Sequence, residues 1–453
     1  MANKANPVPA EPRALGFWMC TALVVGNTIG IGVYMMPAAL APYGLNAVTG
    51  WLVTLTGFVF LAWVFAGLAR VFPQDDGPYA YTLRAFGPST AFMVLWCYWV
   101  SVWVTTATIA IGVVGYLSKL VPTLSGNRWL PPITALSLVW LFVLLNLRGV
   151  RAAGSAQVVT TALKLLPMAA VIVLGVWVFV TEPAVYAQNV PSTPASLDAV
   201  MSASVIAIFA MLGIECATIP AGKVQDPERT IPRATIVGTI LTALIYIAVS
   251  VVPMLLIPQT ELAISNAPFA DLFTRALGGG YGELLAVFVI ISGLGALNGW
   301  TLMAGELAQT FARHGTFPRV LGKENAHGAP ALAFVLAGVT ASVMLLMNYS
   351  KSMAKSFEFL SIVVTAANMP LYLCCSLAVL ILWRRGQIAA PGKRETTFFL
   401  AAGLSIAFCI WVFIGVGVVS LLWALALAVM GVPVFLWMRR SRRREQRELP
   451  DGA

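Results

Sequence analysis

The sequence predicts an all-α protein that crosses a membrane many times, through twelve transmembrane helices. Three observations support this prediction. The 453 residues are 59% hydrophobic and only 10% charged, whereas a soluble globular protein carries about 25% charged residues. The apolar residues form continuous runs that can cross about 30 Å of hydrocarbon as helices. Lysine and arginine cluster at the ends of these runs. A soluble globular protein and a disordered chain are therefore excluded.

Twelve apolar runs are predicted to span the membrane. The first six lie near residues 17–42, 47–71, 90–118, 131–147, 156–180 and 198–221. The second six lie near residues 233–257, 283–311, 331–348, 357–383, 397–417 and 419–438. The chain is thereby divided into an N-terminal tail (1–16), helices one to five (17–180), helices six to ten (198–383), helices eleven and twelve (397–438) and a basic tail (439–453).

Both termini are predicted to be cytoplasmic, with the first helix retained as an anchor in the cell (inner) membrane. If the N-terminus lies inside, all but five of the 28 lysines and arginines fall on inner segments. The five on the outer side are Lys119, Arg128, Arg275, Lys351 and Lys355. Membrane proteins keep their positive charges on the cytoplasmic side of the bilayer. The net charge of +10 therefore indicates membrane orientation, and no nucleic acid partner is predicted.

Helices one and six carry matching interruptions. Helix one contains GNTIGIG (26–32) followed by Pro37, and helix six contains FAMLGIE (209–215) followed by Pro220. Aligning 30–37 with 213–220 gives three identical positions, which are the glycine, the isoleucine after it and the proline at the end. Paired interruptions in corresponding helices of two halves are the sequence sign of a secondary transporter's central site. The alternative is that the glycines only let helices pack closely.

An interrupted helix can bind a zwitterion. Glycine lets the backbone unwind in mid-membrane, where the freed polar groups need partners. N–H groups that begin the second half-helix can hold a carboxylate, and the carbonyls that end the first half-helix can hold an ammonium group. The two interruptions together therefore predict a site for an α-amino acid.

Three motifs carry a resemblance to a known family. They are GNTIGIGVYMMPAALA (26–41), GIECATIPAGKVQDPERTIPRATIVGT (213–239) and GALNGWTLMAG (295–305). They resemble the amino acid–polyamine–organocation transporter superfamily, and most of all its basic amino acid/polyamine antiporters. The resemblance extends from about residue 14 to 440. It implies a five-plus-five inverted repeat with broken helices one and six, two annex helices, and alternating access. It also allows a homodimer, since dimers are common in such relatives.

The resemblance also implies a set of site residues. The substrate would be an amino acid or amine. Residues implied to bind it are Asn27, Gly30, Ile31 and Gly32 on helix one, Ser101, Val102 and Thr106 on helix three, Phe209, Leu212 and Gly213 on helix six, and Trp300 on helix eight. Tyr98 would belong to an inner gate, and Glu215 to gating or proton coupling. No cofactor is predicted, and the two histidines in one loop offer no metal cluster.

The chain departs from the arginine exchangers at the site. Ile31 replaces a serine, which removes a hydroxyl from the carboxylate pocket. Phe209 replaces a gating tryptophan and stacks more weakly on a cation. Val102 and Thr106 replace a cysteine and an asparagine, so the pocket is less polar. These departures leave smaller or more apolar amino acids open as substrates.

Three ionisable residues lie inside predicted spans, where charge is costly and commonly functional. Glu215 is predicted to act in gating or proton coupling; the alternative is a structural hydrogen bond. Glu306 could share that role or be a structural acid. Lys164 resembles a lysine that takes the place of sodium in sodium-independent relatives, and its ammonium could carry a proton. The alternative is a lysine that reaches the cytoplasmic surface.

The predicted function is an exchange of a cationic amino acid for its decarboxylated amine, of the arginine/agmatine type. A proton-coupled, sodium-independent symporter with neutral or broad specificity is the alternative. A membrane enzyme is more remote, because no nucleophile–base pair or acid cluster is visible. A channel would need a selectivity loop, and ATP-driven transport a phosphate loop. Neither motif occurs.

Overall fold

The computed structural model describes residues 16–72, 77–148, 151–191, 193–213, 225–313, 315–348, 352–388 and 393–448. These ranges are helical, without a β-strand. Their α-helices are α1 (Phe17–Thr28), α2 (Ile31–Leu40), α3 (Asn46–Val71), α4 (Pro78–Phe86), α5 (Pro88–Leu120), α6 (Leu130–Leu147), α7 (Arg151–Thr181), α8 (Ala184–Gln188), α9 (Leu197–Met211), α10 (Pro227–Leu256), α11 (Gln259–Leu262), α12 (Pro268–Leu277), α13 (Tyr281–Arg313), α14 (Ala331–Met347), α15 (Met353–Arg384), α16 (Lys393–Gly415), α17 (Val418–Val429) and α18 (Gly431–Glu448).

The structure confirms an all-helical protein with many spans. Nine helices of the described ranges are long and apolar enough to cross a membrane. The segments Phe17–Gly26 and Ile31–Tyr43 meet at 51°, and this bent pair is a tenth if it is counted as one span. Where spans six and nine are predicted, the structure has the shorter apolar helices α9 and α14. The full count of twelve and the inverted repeat stay predictions.

Several helices begin where the sequence analysis expected loops or later starts. The short helices α4, α8, α11 and α12 lie between the predicted spans, and α10 begins at Pro227 rather than at residue 233. Proline occupies the first position of α4, α5, α10 and α12, where its missing N–H costs nothing. Before α5, Gly87 has φ of +80°, a left-handed backbone that separates α4 from α5 at little cost.

The predicted helix twelve is two helices. α17 ends at Val429, and α18 runs from Gly431 through the basic segment to Glu448. A Cβ atom at Gly431 would lie 2.7 Å from the Trp96 ring, so glycine allows α18 to approach α5 there. The tail continues as a helix because arginine, glutamate and glutamine are good helix formers.

The helix α5 is the most enclosed span and organises the centre of the protein. In its most apolar stretch 94% of the residues are buried, compared with 22% in α6 and 22% in the span Val418–Arg440. It packs against α13 and α15. The indole N–H of Trp99 donates to the Ala304 carbonyl at 2.8 Å, which fixes α5 against α13. Residues on α5 therefore lie beside α2, α13 and α15.

Candidate functional site

The first span is interrupted where the glycine pattern predicted. α1 ends at Thr28, Ile29 and Gly30 are extended, and α2 begins at Ile31. The first N–H groups of α2 therefore have no acceptor within their own helix, and its positive dipole end points at the interruption. Gly30 is half-buried, whereas Ile31 and Gly32 are buried. The backbone at Gly30 is thus the accessible part of this interruption.

Of the predicted helix-one residues, Ile31 presents only its backbone at the interruption. The side chain of Asn27 is outside the described part of the structure. The Ile31 side chain is fully buried and packs against Gly112 and Gly293, where an added Cβ would lie 2.8 and 2.9 Å from it. Only the Ile31 backbone can therefore face a ligand at Gly30. Asn27 closes the last turn of α1, and its side chain lies outside the described part of the structure.

The end of α1 is anchored by a residue that the sequence analysis missed. The hydroxyl of Tyr246 on α10 donates to the Thr28 carbonyl at 3.0 Å. A carbonyl oxygen has two lone pairs, so the Thr28 carbonyl can accept a second hydrogen bond. The sequence feature that could have identified Tyr246 is its polar hydroxyl inside an apolar span.

Replacing Tyr246 with phenylalanine should lower transport by about 3- to 10-fold, because a hydrogen bond worth about 1 kcal/mol no longer fixes the end of α1. The matched control is Tyr186→Phe. It also removes a hydroxyl donor, because the Tyr186 hydroxyl on the short helix α8 donates to the Gly175 carbonyl at 2.6 Å. Uptake per mole of purified protein in liposomes would measure both. Equal losses in the two variants would remove Tyr246 from the site.

Phe209 lies on the last turn of α9 and covers the start of α2. A Cβ at Gly32 would be 3.0 Å from the nearest ring carbon of Phe209. The same ring meets the Phe357 ring of α15 at 5.6 Å between centroids, nearly perpendicular. Phe209 therefore joins α2, α9 and α15 at the interruption. This placement suits a residue that closes over a ligand.

The helix α9 ends within the motif that is predicted to interrupt helix six. α9 ends at Met211, Leu212 is extended, and Gly213 has a left-handed φ of +106°. The Leu212 N–H reaches only back to the Phe209 carbonyl, at 3.5 Å. Glu215 lies outside the described residues, so its predicted role stays a prediction.

The four predicted residues of α5 share one side of that helix. Tyr98, Ser101, Val102 and Thr106 follow the three- and four-residue spacing of a helical face, and all are buried. The Ser101 hydroxyl donates to the Tyr98 carbonyl at 2.7 Å and the Thr106 hydroxyl to the Val102 carbonyl at 3.2 Å. Their hydroxyl protons are thus used within α5, and the oxygens remain available as acceptors.

Trp300 approaches the interruption along α13. Ala296 is the nearest neighbour of Gly30, since a Cβ added at Gly30 would lie 3.9 Å from the Ala296 Cβ. Trp300 follows four residues later on the same face and is half-buried. Glu306, further along α13, is also half-buried, and Arg313 acts on its carboxylate electrostatically. Trp300 therefore lies one helical turn from Ala296, the residue that faces Gly30.

Lys164 is buried, and none of the described residues supplies a counter-charge. The side chain is 2% exposed, which contradicts the alternative of a lysine at the cytoplasmic surface. Within the described ranges no carboxylate or hydrogen-bond acceptor pairs with its ammonium. Its own carbonyl accepts from the Tyr34 hydroxyl at 2.6 Å, and that hydroxyl also lies 3.2 Å from the Ser292 hydroxyl. Tyr34 and Ser292 thus connect the Lys164 turn to α2 and α13.

A second residue missed by the sequence analysis is Asn368 on α15. It is 1% exposed, and neither atom of its amide has a hydrogen-bond partner among the described residues. It follows Phe357 by about three helical turns, so both lie on one face of α15. An unpaired buried amide is costly, so a polar partner is expected here in another state of the protein.

Comparison with known proteins gives a consistent picture. Residues 15–438 match the amino acid permease family. A cadaverine/lysine antiporter of Escherichia coli (strain K12) is 31% identical over 375 residues, covering 81% of this chain and 83% of that protein. The putrescine transporter PotE of Haemophilus influenzae is 30% identical over 392 residues, covering 86% and 89%. A putative arginine/ornithine antiporter of Bacillus subtilis is 28% identical over 406 residues, covering 83% and 86%.

Proposed function

Because this chain belongs to the amino acid permease family, as its motifs predicted, we propose that it exchanges a cationic amino acid for its decarboxylated amine by alternating access. The family consists of transporters, which confirms that the protein is no enzyme. The relatives named above are antiporters or transporters of lysine, arginine, ornithine, cadaverine and putrescine. Cadaverine is the decarboxylated amine of lysine. Agmatine is related to arginine in the same way.

The extended backbone at Ile29 and Gly30 is the single observation that carries the proposal. It presents the N–H groups that begin α2 and the carbonyls that end α1 within one interruption. The N–H groups bind the substrate carboxylate, and Thr28 accepts from the α-ammonium group. A decarboxylated amine keeps the second contact and lacks the first, so both members of an exchange pair can enter this site.

Aromatic rings receive the cationic side chain. Phe209 lies over Gly32, and Trp300 lies one turn from the residue that faces Gly30. A cation over an aromatic face gains about 0.5–2 kcal/mol without a buried carboxylate. Ser101, Val102, Thr106, Leu212 and Gly213 line the remainder of this pocket. Phe209 closes it on one side and Tyr98 on the other, with Glu215 and Glu306 acting in gating or proton coupling.

Proton-coupled, sodium-independent symport is the second candidate, and Lys164 favours it. A buried ammonium with no counter-charge among the described residues can stand in place of a bound cation or release a proton during the cycle. The packed Ile31 side chain also leaves the carboxylate pocket without a hydroxyl donor. A neutral amino acid would then be carried with the proton.

Transport by purified protein in sodium-free liposomes decides between the two. Labelled arginine is supplied outside, and the internal load is nothing, arginine, agmatine or ornithine. We expect uptake only into loaded vesicles, at a comparable rate with arginine or agmatine inside. Unlabelled amino acids and amines as competitors then rank the substrates. Uptake into empty vesicles under an acid-outside gradient would instead establish symport. Absence of any arginine uptake would contradict the proposal that the substrate is a cationic amino acid.

The remaining topology is proposed with this function. Twelve spans would place both termini in the cytoplasm of a multi-pass inner-membrane protein in the lipid bilayer. Five-plus-five inverted halves would move around the two interruptions. A homodimer is compatible with this arrangement. Single cysteines introduced at Ser125 and Ser441, each reacted with a membrane-impermeant thiol reagent on intact cells, should be labelled only at Ser125.

A further inference from the structure

A short amphipathic helix covers the second half of the broken first span. This helix is α12, which precedes α13, and the charge distribution predicts that it lies on the outer face of the protein. One side of α12 is buried and packs against α2 and α13. The residues of that side are Pro268, Phe269, Ala270, Leu272 and Phe273. Because α2 begins at the interruption, a helix that rests on α2 can influence how α2 moves.

Phe269 is the contact between α12 and α2. Its ring meets the Tyr34 ring of α2 at 5.4 Å between centroids, nearly perpendicular. Phe269 is the second residue of α12, so its N–H has no acceptor within its own helix. That N–H donates to the Tyr116 hydroxyl of α5 at 3.2 Å, and the same hydroxyl donates to the Tyr34 carbonyl at 2.8 Å. Tyr34 is therefore held from α5 and from α12 at once.

Two glycines let α12 and the loop before it approach their neighbours closely. A Cβ added at Gly115 on α5 would lie 2.6 Å from the Asn266 carbonyl oxygen. A Cβ added at Gly282 on α13 would lie 2.5 Å from the Ala270 carbonyl oxygen. Gly115→Ala would therefore push the loop away from α5 without changing any charge.

An ion pair fastens α12 to α5. The Lys119 ammonium, on the last turn of α5, lies 2.7 Å from one carboxylate oxygen of Asp271 on α12. The Ser265 hydroxyl donates to the other oxygen of that carboxylate. The Lys119 and Asp271 side chains are 27% and 35% exposed, so water can replace either partner. A partly exposed ion pair is weak enough to separate and re-form.

We propose that α12 is an outer latch on α2, and that Lys119 and Asp271 are positioning residues that keep the latch closed. In the structure the latch is closed. When the ion pair separates, α12 leaves α5 and releases Tyr34, and α2 is then free to open the site toward the outside. The role in transport rests on the proposed alternating access, whereas the fastening of α12 can be measured without transport.

Hydrogen–deuterium exchange of the purified, full-length protein measures the latch directly. The Phe269 N–H exchanges when α12 leaves the Tyr116 hydroxyl, so peptides that cover residues 263–277 report how often the latch opens. Asp271→Asn and Lys119→Gln should each speed this exchange about 3-fold, which is the effect of losing a partly exposed ion pair.

Arg275→Gln is the matched control. Arg275 lies on the same helix, but it pairs with Glu261 of α11 at 2.9 Å and not with α5, so its loss should leave the exchange unchanged. The charge-reversed double variant Lys119→Asp/Asp271→Lys should slow the exchange again, because it restores the attraction. Gly115→Ala should speed the exchange without any change of charge.

Transport tests whether the latch controls the outer side. Weakening an outer latch raises the ratio of outward-open to inward-open protein, and the ratio of internal to external KM rises by the same factor. Asp271→Asn should raise this KM ratio about 3-fold. Arginine exchange by right-side-out and by inverted membrane vesicles measures the two KM values. A merely structural defect would change both values alike and leave their ratio unchanged.

Exchange of residues 263–277 that is equal in the wild type, Asp271→Asn and Lys119→Gln would overturn the fastening of α12 by the ion pair. Faster exchange with an unchanged KM ratio would overturn the role of α12 in transport. If the wild type exchanges no arginine, the proposed function fails, but the hydrogen exchange of α12 still supports or overturns the latch. The KM ratio is then measured with the substrate that the competition assay identifies, so the two failures are distinguishable.

Discussion

Replacing Gly32 with valine should reduce transport at least about 100-fold while leaving the protein folded. The Cβ alone would lie 3.0 and 3.2 Å from two ring carbons of Phe209 and 3.7 Å from the Ala210 Cα. The two further methyl groups of valine have no room, so the ring has to leave the start of α2 and its contact with Phe357. A displacement of about 1 Å in a positioned group can cost about 100-fold in rate.

The glycine on α16 provides the matched control. Gly403 is also helical, and nothing lies within 4 Å of a Cβ added there, so Gly403→Val should transport within about 2-fold of the wild type. Gly32→Ala should fall between the two, because its Cβ is tight but has no branches. Exchange in liposomes, with gel filtration as the test of folding, measures all three. A Gly32→Val protein that exchanges like Gly403→Val would contradict the placement of Phe209 at the site.

Replacing Lys164 with methionine should raise thermal stability and at the same time reduce transport at least about 10-fold. Lys164 is 2% exposed, and its ammonium group has no counter-charge among the described residues. Removing an uncompensated buried charge while keeping the length of the side chain stabilises a fold. A loss of transport together with a gain in stability would separate function from folding. The readouts are the melting temperature in detergent and uptake in liposomes.

Arginine at position 164 distinguishes the two roles of the charge. A guanidinium stays protonated under all ordinary conditions, so Lys164→Arg keeps the charge and cannot release a proton. Partial transport by this variant would indicate a fixed cation, whereas inactivity equal to that of Lys164→Met would favour a proton carrier. Lys323→Met is the control, because Lys323 is exposed beyond the end of α13. Wild-type transport by Lys164→Met would exclude both roles.

Much of the site's backbone was predictable because it follows from local chemistry. GNTIGIG contains three glycines in seven residues, and α1 ends within it at Thr28. FAMLGIE likewise ends α9 at Met211 and reaches a left-handed backbone at Gly213. The conformational freedom of glycine acts over a few residues, so the sequence alone suffices to place such breaks.

The partners of these residues were not predictable. Tyr246 holds the Thr28 carbonyl from 218 residues away, and Tyr34 holds the Lys164 carbonyl across 130 residues. In a soluble protein the apolar face of a helix shows which side is inward. Within a bilayer, lipid and protein interior are both apolar, so hydropathy does not fix the rotation of a helix about its axis.

The sequence by itself determined that this protein is a many-span helical member of a transporter family with an interrupted first helix, because length, hydropathy and glycine act locally. Only the tertiary structure decided that Phe209 covers Gly32 and that Lys164 is buried rather than at the surface. Each of these depends on how distant helices are rotated and packed, which their composition leaves undetermined.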